Sequence, residues 1–199
     1  MSVLTLASMV LVGCGAKTFV VYSPGENLTS LTKVNESEYV CFSPCGGDDG
    51  RNLFFVVQDK AGFQNIYRKD VPTSMSMSQI TGGHNFNSAP SYCAATNSLV
   101  FSGKLTGSSV HDIYMVNATQ GGALKQITNT SDYEEFTPCI SGDGSKILYT
   151  KGLRGTDAKS YEIWVKNLMT NENTQLGLGC NPTFSPDAKM VAFVKFAPD

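Results

Sequence analysis

A hydrophobic residue followed by threonine returns about every 48 residues, and this periodicity constrains the fold more than any other feature of the chain. The copies are Leu31-Thr32, Ile80-Thr81, Ile127-Thr128 and the degenerate Leu176-Gly177. A unit of this size cannot bury its apolar face alone, so successive units are expected to stack on one another. The sequence therefore predicts a repeat architecture.

Three further strand-like segments accompany this pattern in each unit. A proline-led segment, strand A, lies at residues 89–92, 137–140 and 181–184, with residues 40–42 in its place in the first unit. An apolar segment, strand B, lies at residues 53–57, 99–102, 147–150 and 191–194. An isoleucine followed by an aromatic residue marks strand C at residues 65–67, 112–114 and 162–164. The hydrophobic-threonine pair ends strand D, and Asp49-Gly50 and Asp143-Gly144 are predicted hairpin turns.

Four short antiparallel strands per unit, stacked radially, predict an all-β chain that folds as a four-bladed β-propeller. The last unit stops after strands A and B, near Lys195. Residues 19–22 and 28–32 resemble strands C and D. We therefore expect these N-terminal strands to pair with the C-terminal strands A and B, which would close a ring of four-stranded blades. The alternative is a part of a larger propeller.

The turns between strands A and B carry a family resemblance. Residues Ser185-Pro186-Asp187-Ala188-Lys189, residues 141–146 and Phe42-Ser43-Pro44 are similar to the Ser-Pro-Asp-Gly-Lys turn of TolB-type propeller repeats. The matches cover about residues 18 to 196 and concern the repeat, so they bear on the fold more than on the activity. The resemblance implies protein partners in the cell envelope.

The N-terminus carries a short apolar run, residues 3–12, that ends in Leu11-Val12-Gly13-Cys14. The run is too short to span a membrane as a helix, and it suits the hydrophobic region of a signal peptide. Its end resembles a bacterial lipobox, which implies a signal peptide at 1–13, a lipidated Cys14, an anchor at 14–17 and a propeller domain at 18–199. Gly15 then implies sorting to the outer membrane. The alternative is that the run is an ordinary strand.

Five cysteines remain beyond Cys14, namely Cys41, Cys45, Cys93, Cys139 and Cys180. No Cys-x-x-Cys pair is present and the chain has only two histidines, so a zinc site is not expected. Cys45 and Cys93 are the one pair that we expect to approach disulfide distance. Small residues at Cys41, Ser91, Cys139 and Thr183 are predicted to face the central channel.

The connections from strand D to the next strand A hold the best binding candidates, because all connections of this class emerge on one face of a propeller. Two of them combine acidic residues with a tyrosine, and one holds a histidine and a phenylalanine. The candidate partner-binding residues are Glu36, Glu38, Tyr39, His84, Phe86, Asp132, Tyr133, Glu134 and Glu135. The other histidine, His111, precedes a strand C, and we do not expect it to converge with His84 on one site.

These observations favour a non-catalytic, lipid-anchored envelope protein that binds other proteins or acts as a scaffold. The net charge of −2 argues against nucleic acid as a partner. No catalytic constellation stands out, and no cofactor is predicted, although carboxylates in the loops leave a divalent cation open. A small metal-dependent hydrolase or lyase is one alternative. A carbohydrate-binding module, with Tyr39, Phe86 and Tyr133 stacking on sugar rings, is another.

Overall fold

The computed structural model describes residues 10–12, 19–21, 40–47, 52–70, 77–83, 85–119 and 122–196. Apart from one 3-10 turn at Ala158–Ser160, every regular element in these ranges is a β-strand, which confirms the all-β prediction. No helix in the described part of the chain is long and apolar enough to cross a lipid bilayer.

Three four-stranded antiparallel blades follow one another along the chain, each in the order A to D. The first blade comprises β3 (Val40–Gly46), β4 (Asn52–Gln58), β5 (Gln64–Asp70) and β6 (Met77–Gln79). The second comprises β7 (Phe86–Cys93), β8 (Ser98–Lys104), β9 (Asp112–Asn117) and β10 (Lys125–Gln126). The third comprises β11 (Tyr133–Ile140), β12 (Lys146–Leu153), β13 (Glu162–Asn167) and β14 (Asn173–Leu178).

A fourth unit contributes two strands, β15 (Cys180–Phe184) and β16 (Val191–Val194), which pair with each other. Apolar side chains in and next to this unit are more exposed to solvent than their equivalents in the complete blades. Leu176 in the third blade is 43% exposed, whereas its equivalents Ile80 and Ile127 are 6% and 8% exposed. Phe193 and Val194 are also exposed. Strands C and D of a fourth blade are therefore not formed among the described residues.

The predicted ring closure differs from the observed pairing. Phe19–Val21 forms β2, which pairs with β1 (Val10–Val12) as a separate two-stranded sheet instead of joining β16. A hairpin between segments so close in sequence closes a short loop, whereas joining the two chain ends closes a very long one, at a higher entropic cost. The predicted strand D at residues 28–32 lies outside the described residues, as does the predicted turn at Asp49-Gly50.

The hydrophobic core lies between the blades, because each strand B sends alternate side chains to opposite faces of its sheet. Phe54 and Val56 of the first blade pack against Leu99 and Phe101 of the second. Val100, one residue further along, instead packs against Ile147 of the third blade. Successive blades are thus held together by layers of fully buried aliphatic and aromatic side chains, as a propeller requires.

A β-bulge interrupts every strand A at the same place. The residue before the proline has a positive φ in all four units, between 48° and 53°, and the strand pairing shifts register there. The four dipeptides are Ser43-Pro44, Ala89-Pro90, Thr137-Pro138 and Asn181-Pro182. The proline-led pattern of the first unit is therefore at Ser43-Pro44, so our alignment of residues 40–42 with the other three was wrong by a few residues.

The same shift reassigns Phe42-Ser43-Pro44, which belongs to the bulge of strand A and not to the turn that follows it. The turn is seen in the third blade, where the Ser141 carbonyl accepts a hydrogen bond from the Gly144 amide in a tight hairpin. Gly144 has a φ of 73°. Asp143 accepts hydrogen bonds from the Ser141 hydroxyl at 2.6 Å and from the Ser145 amide at 2.9 Å. Asp187 makes the equivalent bond to Ser185 in the fourth unit, also at 2.6 Å.

Candidate functional site

The connections from D to A and those from B to C share one end of the blades, because the connections of an antiparallel meander alternate between two ends. The structure shows this where the second blade meets the third: the Glu135 amide donates to the carbonyl of His111 at 2.9 Å. The two loop classes that we expected to stay apart therefore meet. His84 lies outside the described residues, but His111 contacts one of the predicted candidates, Glu134.

His111 and Glu134 form a close pair at this end. The Glu134 Oε2 atom lies 2.8 Å from the imidazole Nδ1 atom and also accepts the His111 backbone N–H at 2.8 Å. Partial burial raises the pKa of Glu134, but the hydrogen bonds and charge of His111 outweigh it, so that the pKa is lowered overall. Both side chains are about one-third exposed, so the pair is accessible from solvent. A carboxylate at Nδ1 orients the ring and favours the tautomer that accepts at Nε2.

Glu135 does not belong to the exposed surface that the sequence suggested. The predicted acidic loop begins β11 at Tyr133, and the alternation of strand side chains turns Glu135 into the space between blades, where it is 1% exposed. Thr128 and Asp112 are near enough to its carboxyl to act on its pKa. Burial raises the pKa of Glu135 to about 7; the Thr128 hydrogen bond and the Lys151 charge oppose this rise, and the charge of Asp112 adds to it.

Lys151 connects the buried acid to the accessible surface. Its Nζ atom lies 4.0 Å from Glu135 Oε1, 4.2 Å from the centroid of the Tyr133 ring and 5.2 Å from that of Trp164. Ammonium groups at such distances from aromatic faces are attracted by the ring quadrupole. Trp164 is fixed in turn by a 2.8 Å hydrogen bond from its indole N–H to Glu162. We call the partly exposed surface formed by His111, Tyr133, Glu134, Lys151 and Trp164 the junction face.

The remaining candidates have different locations. Asp132 lies just before β11 and is exposed, next to the junction face. Phe86 opens β7, and its ring packs on Phe63 with 5.9 Å between centroids, so it is partly engaged within the protein. The following predicted site residues lie outside the described residues: Cys14, Glu36, Glu38, Tyr39 and His84.

Sequence reasoning missed His111, Lys151 and Trp164 as members of one surface. Each comes from a different strand or loop, so no local spacing joins them. One signal was present in the repeat: His111 precedes strand C of one blade and Glu134 lies near the start of strand A of the next. The equivalent positions of the first junction, Gln64 and Phe86, are neighbours too.

A second concave feature lies where the strands A converge. The four bulge dipeptides line a cleft of about 250 Å³, formed by Ser43, Pro44, Ala89, Pro90, Thr137, Pro138, Asn181 and Pro182. Strand A is therefore the innermost strand, as expected. The set that we predicted to face the channel contains one residue out of register, because the bulge makes Cys45, and not Cys41, the equivalent of Ser91, Cys139 and Thr183.

In the structure Cys45 and Cys93, the predicted disulfide pair, are not joined by a disulfide. Cys45 packs against the core between the first and second blades. Cys93 is fully buried in the core between the second and third blades, where its thiol lies 3.3 Å from the Gly142 carbonyl. The two side chains thus contact opposite faces of the second blade. Within the described ranges, no group of three or more His, Cys, Asp or Glu side chains is placed to hold a metal ion.

Residues 22–199 match the family model described as TolB beta propeller domain. No curated protein matches the chain in sequence. Among solved structures, TolB from Acinetobacter baumannii is similar with a TM-score of 0.72 and 20% identity, over 96% of this chain and 46% of that one.

A protein described as TolB from Agrobacterium tumefaciens is similar with a TM-score of 0.72 and 18% identity, over 92% of this chain and 67% of that one. An oligogalacturonate lyase in complex with manganese follows with a TM-score of 0.64 and 14% identity, over 91% of this chain and 56% of that one. At these identities the likeness concerns the fold alone. The chain spans about half the length of the first of these structures.

Proposed function

Because the chain belongs to the TolB beta propeller domain family, we propose that it is a non-catalytic module of the bacterial cell envelope that binds other proteins or serves as their scaffold. A rigid ring of blades holds its connecting loops in fixed positions, and such loops are where propellers and similar scaffolds usually carry function. Membership of the family does not identify the binding surface, so the surface has to be found among the residues of this chain.

The junction face is the observation that carries this proposal. It combines two half-buried aromatic rings, Tyr133 and Trp164, with a lysine that lies over both and an adjacent His111–Glu134 pair. Aromatic residues dominate the energetics of protein interfaces, and charged groups at the rim set their specificity. Asp132 and Glu134 leave acceptor groups at this rim, which suits a partner segment that carries lysine or arginine.

A capture experiment from solubilised envelopes tests this use of the junction face. The wild-type chain and a Tyr133→Ala variant serve as baits, with Met169→Ala as the matched control, because Met169 is 84% exposed and lies between strands C and D, at the opposite end of the blade. We expect a stoichiometric protein with the wild type and the control and its loss with Tyr133→Ala. Equal recovery by all three folded baits would contradict the proposal.

We further propose that Cys14 is the lipidated residue that anchors the chain, in the outer membrane where the cell has one. The support is the lipobox-like sequence before Cys14 and the absence of aspartate after it. Intact-mass measurement of the mature protein is the test. A diacylated Cys14 at the new N-terminus is expected, and an unmodified Cys14 in a chain that still begins at Met1 would exclude the anchor.

The four-bladed ring is also a proposal. Its support is the exposure of Phe193 and Val194 in β16, together with residues 19–22 and 28–32, which resemble strands C and D of a propeller blade. In a closed ring, β2 would exchange β1 for the edge of β16. Deletion of residues 17–32 should then lower the melting temperature clearly. An unchanged melting temperature would instead indicate a part of a larger propeller.

A metal-dependent lyase or hydrolase is the second candidate, and the His111–Glu134 pair is the observation that favours it. A carboxylate on Nδ1 prepares an imidazole to accept a proton through Nε2. The similar oligogalacturonate lyase, which was solved with manganese, supplies a substrate to try. Incubation with Mn²⁺ and oligogalacturonate should then give unsaturated products that His111→Ala abolishes. No product and no retained Mn²⁺ would exclude this candidate.

A further inference from the structure

The same polar arrangement recurs where the first blade meets the second and where the second meets the third. It combines the first Asn or Asp of strand C, the threonine of strand D and the residue three positions before the proline of the next strand A. At the first junction these are Asn65, Thr81 and Asn87; at the second they are Asp112, Thr128 and Glu135. In both, the threonine hydroxyl accepts a hydrogen bond from the backbone N–H of the residue that follows the Asn or Asp in strand C, at 2.9 and 2.8 Å.

The first junction is neutral and supplies its own hydrogen-bond donors. The Asn87 Nδ2 group donates to Thr81 Oγ1 at 3.0 Å and lies 3.4 Å from Asn65 Oδ1. Asn65 donates in turn to the Gly83 carbonyl at 3.1 Å. An amide can act as donor and acceptor at once, so this arrangement does not depend on a proton from solvent.

The second junction places two carboxyl groups at the positions of the two amides. Asp112 already accepts a hydrogen bond on each oxygen, from the Gln126 side chain at 3.0 Å and from the Thr130 amide at 3.1 Å. Glu135 Oε2 is buried and has no hydrogen-bond donor. Asp112 and Glu135 are 3% and 1% exposed, and they occupy the positions of Asn65 and Asn87, whose side chains lie 3.4 Å apart at the first junction. Two ionised carboxylates in contact would repel each other, and neither has a hydrogen to donate.

In the described part of the chain, no other charged group near Glu135 removes this conflict. From β12, Lys151 lies 4.0 Å from Oε1, beyond hydrogen-bond distance, and its ammonium group is shared with the Tyr133 and Trp164 rings. Tyr149, also on β12, has a pKa raised by burial and by the Glu135 charge. On β11 and before β9, Glu134 and His111 bind each other.

We propose that Asp112 and Glu135 share one proton, donated by Glu135, so that the packing of the second blade on the third is a proton-linked contact that weakens as the pH rises through neutrality. The shared proton takes the place of the Asn87 amide hydrogen at the first junction. The acceptor is Asp112, which two donors already hold in position.

The direction of the pH dependence follows from the burial of Glu135. Its pKa is raised to about 7 in the folded chain, whereas in the unfolded chain it takes the ordinary value for glutamate, near 4.5. Between these values the folded state binds more protons than the unfolded state, so stability falls as the pH rises. The stabilisation is fully present below the ordinary value and is lost above about pH 7.

Thermal unfolding between pH 5 and 8, together with carboxyl-selective NMR, tests the proposal. The wild type should lose roughly 5–10 °C in melting temperature over this range in excess of Glu135→Gln, whose amide needs no shared proton. Asp132→Asn is the matched control, since it removes an exposed carboxylate three residues away and should keep the wild-type slope.

Asp112→Asn supplies a second route, because its amide can donate to Glu135 as Asn87 donates to Asn65. We expect a flattened pH profile and a lowered pKa for Glu135. NMR titration of Glu135 in the wild type does not depend on any variant and should give a midpoint near neutrality. A midpoint near the ordinary glutamate value, or a wild-type slope retained in Glu135→Gln, would overturn the proposal.

Discussion

Asn87 and Glu135 occupy the same position in successive blades, three residues before the proline of strand A, and each keeps one buried side-chain oxygen without a hydrogen-bond donor. A buried polar atom without a partner costs free energy, which Asn87 bears, whereas at Glu135 the proposed shared proton relieves it. The same position holds two blades together: Asn87 contacts Thr81 and Asn65 of the preceding blade.

Replacement of Asn87 by alanine should therefore destabilise the junction of the first two blades. Thr81 and Asn65 would lose the donor that Asn87 Nδ2 provides, in a fully buried location. We expect the free energy of unfolding to fall by about 1–3 kcal/mol, measured by urea denaturation. Lys125→Ala, at an exposed position of β10, is the control and should change little. Equal stability of the two variants would argue against this junction.

Alanine substitutions at two loop glycines allow the cost of backbone strain to be measured apart from the cost of a steric clash. Gly144 and Gly155 both have a positive φ, 73° and 80°. A Cβ atom at Gly144 would lie 2.5 Å from Thr96 Cγ2, whereas at Gly155 it would meet nothing within 4 Å. Alanine should cost about 1 kcal/mol at Gly155 and about 1–3 kcal/mol more at Gly144.

Chemical denaturation of the two alanine variants measures this difference. Thr96→Ala in the Gly144→Ala background removes the two closest atoms and should recover part of the extra loss. If the two alanine variants are equally stable, the turn of the third blade does not pack on Thr96.

Thiol labelling tests how the cysteines are distributed. Cys93 is fully buried and its thiol contacts the Gly142 carbonyl, so a maleimide should not modify it until the protein unfolds. Cys139 and Cys180 are partly accessible and should react in the native state. Peptide mapping before and after addition of denaturant gives the pattern. A Cys45–Cys93 disulfide peptide from unreduced protein would contradict the packing of these side chains in two separate cores.

Asp143 should titrate well below ordinary aspartates. Hydrogen bonds from the Ser141 hydroxyl and from Ser145 lower the pKa of Asp143 to about 2. Because the folded pKa is lowered, the stabilisation is present above the ordinary aspartate value and is lost as the pH falls towards 2. NMR titration of the carboxyl group measures the midpoint directly, and Ser141→Ala should raise it. A midpoint that Ser141→Ala leaves unchanged would show that this bond does not form in solution.

The strands were predictable because their hydrophobic pattern is repeated. The apolar segment at residues 53–57 lies within β4, and residues 147–150 lie within β12. The register of strand A in the first unit was not predictable, because Ser43-Pro44 resembles both the strand motif and the turn motif. Ala89 and Thr137 gave no sign of their left-handed backbone, which glycine or asparagine would have suggested. The bulge is a property of the assembled blade.

The candidate site was predictable only by its location. Tyr133 and Glu134 lie on the surface that the sequence indicated, but Glu135 beside them is buried. Consecutive acidic residues look equivalent in a sequence, whereas the pleat of β11 separates them to opposite sides. The position of Asn87 in the preceding repeat is the signal that could have shown this, since a buried asparagine at the same place predicts a buried side chain at Glu135.

The prolines of strand A also determine how these sheets can grow. A proline has no amide hydrogen, and each blade places one at its innermost strand, beside the cleft. A strand that approached along the axis would find a missing donor in every blade, so the inner edges resist addition of further β-structure. The outer edge at β14 has six exposed or half-exposed residues without a charge or a proline. Unwanted self-association of this chain should therefore begin at the outer edge of the third blade and spare the innermost strands.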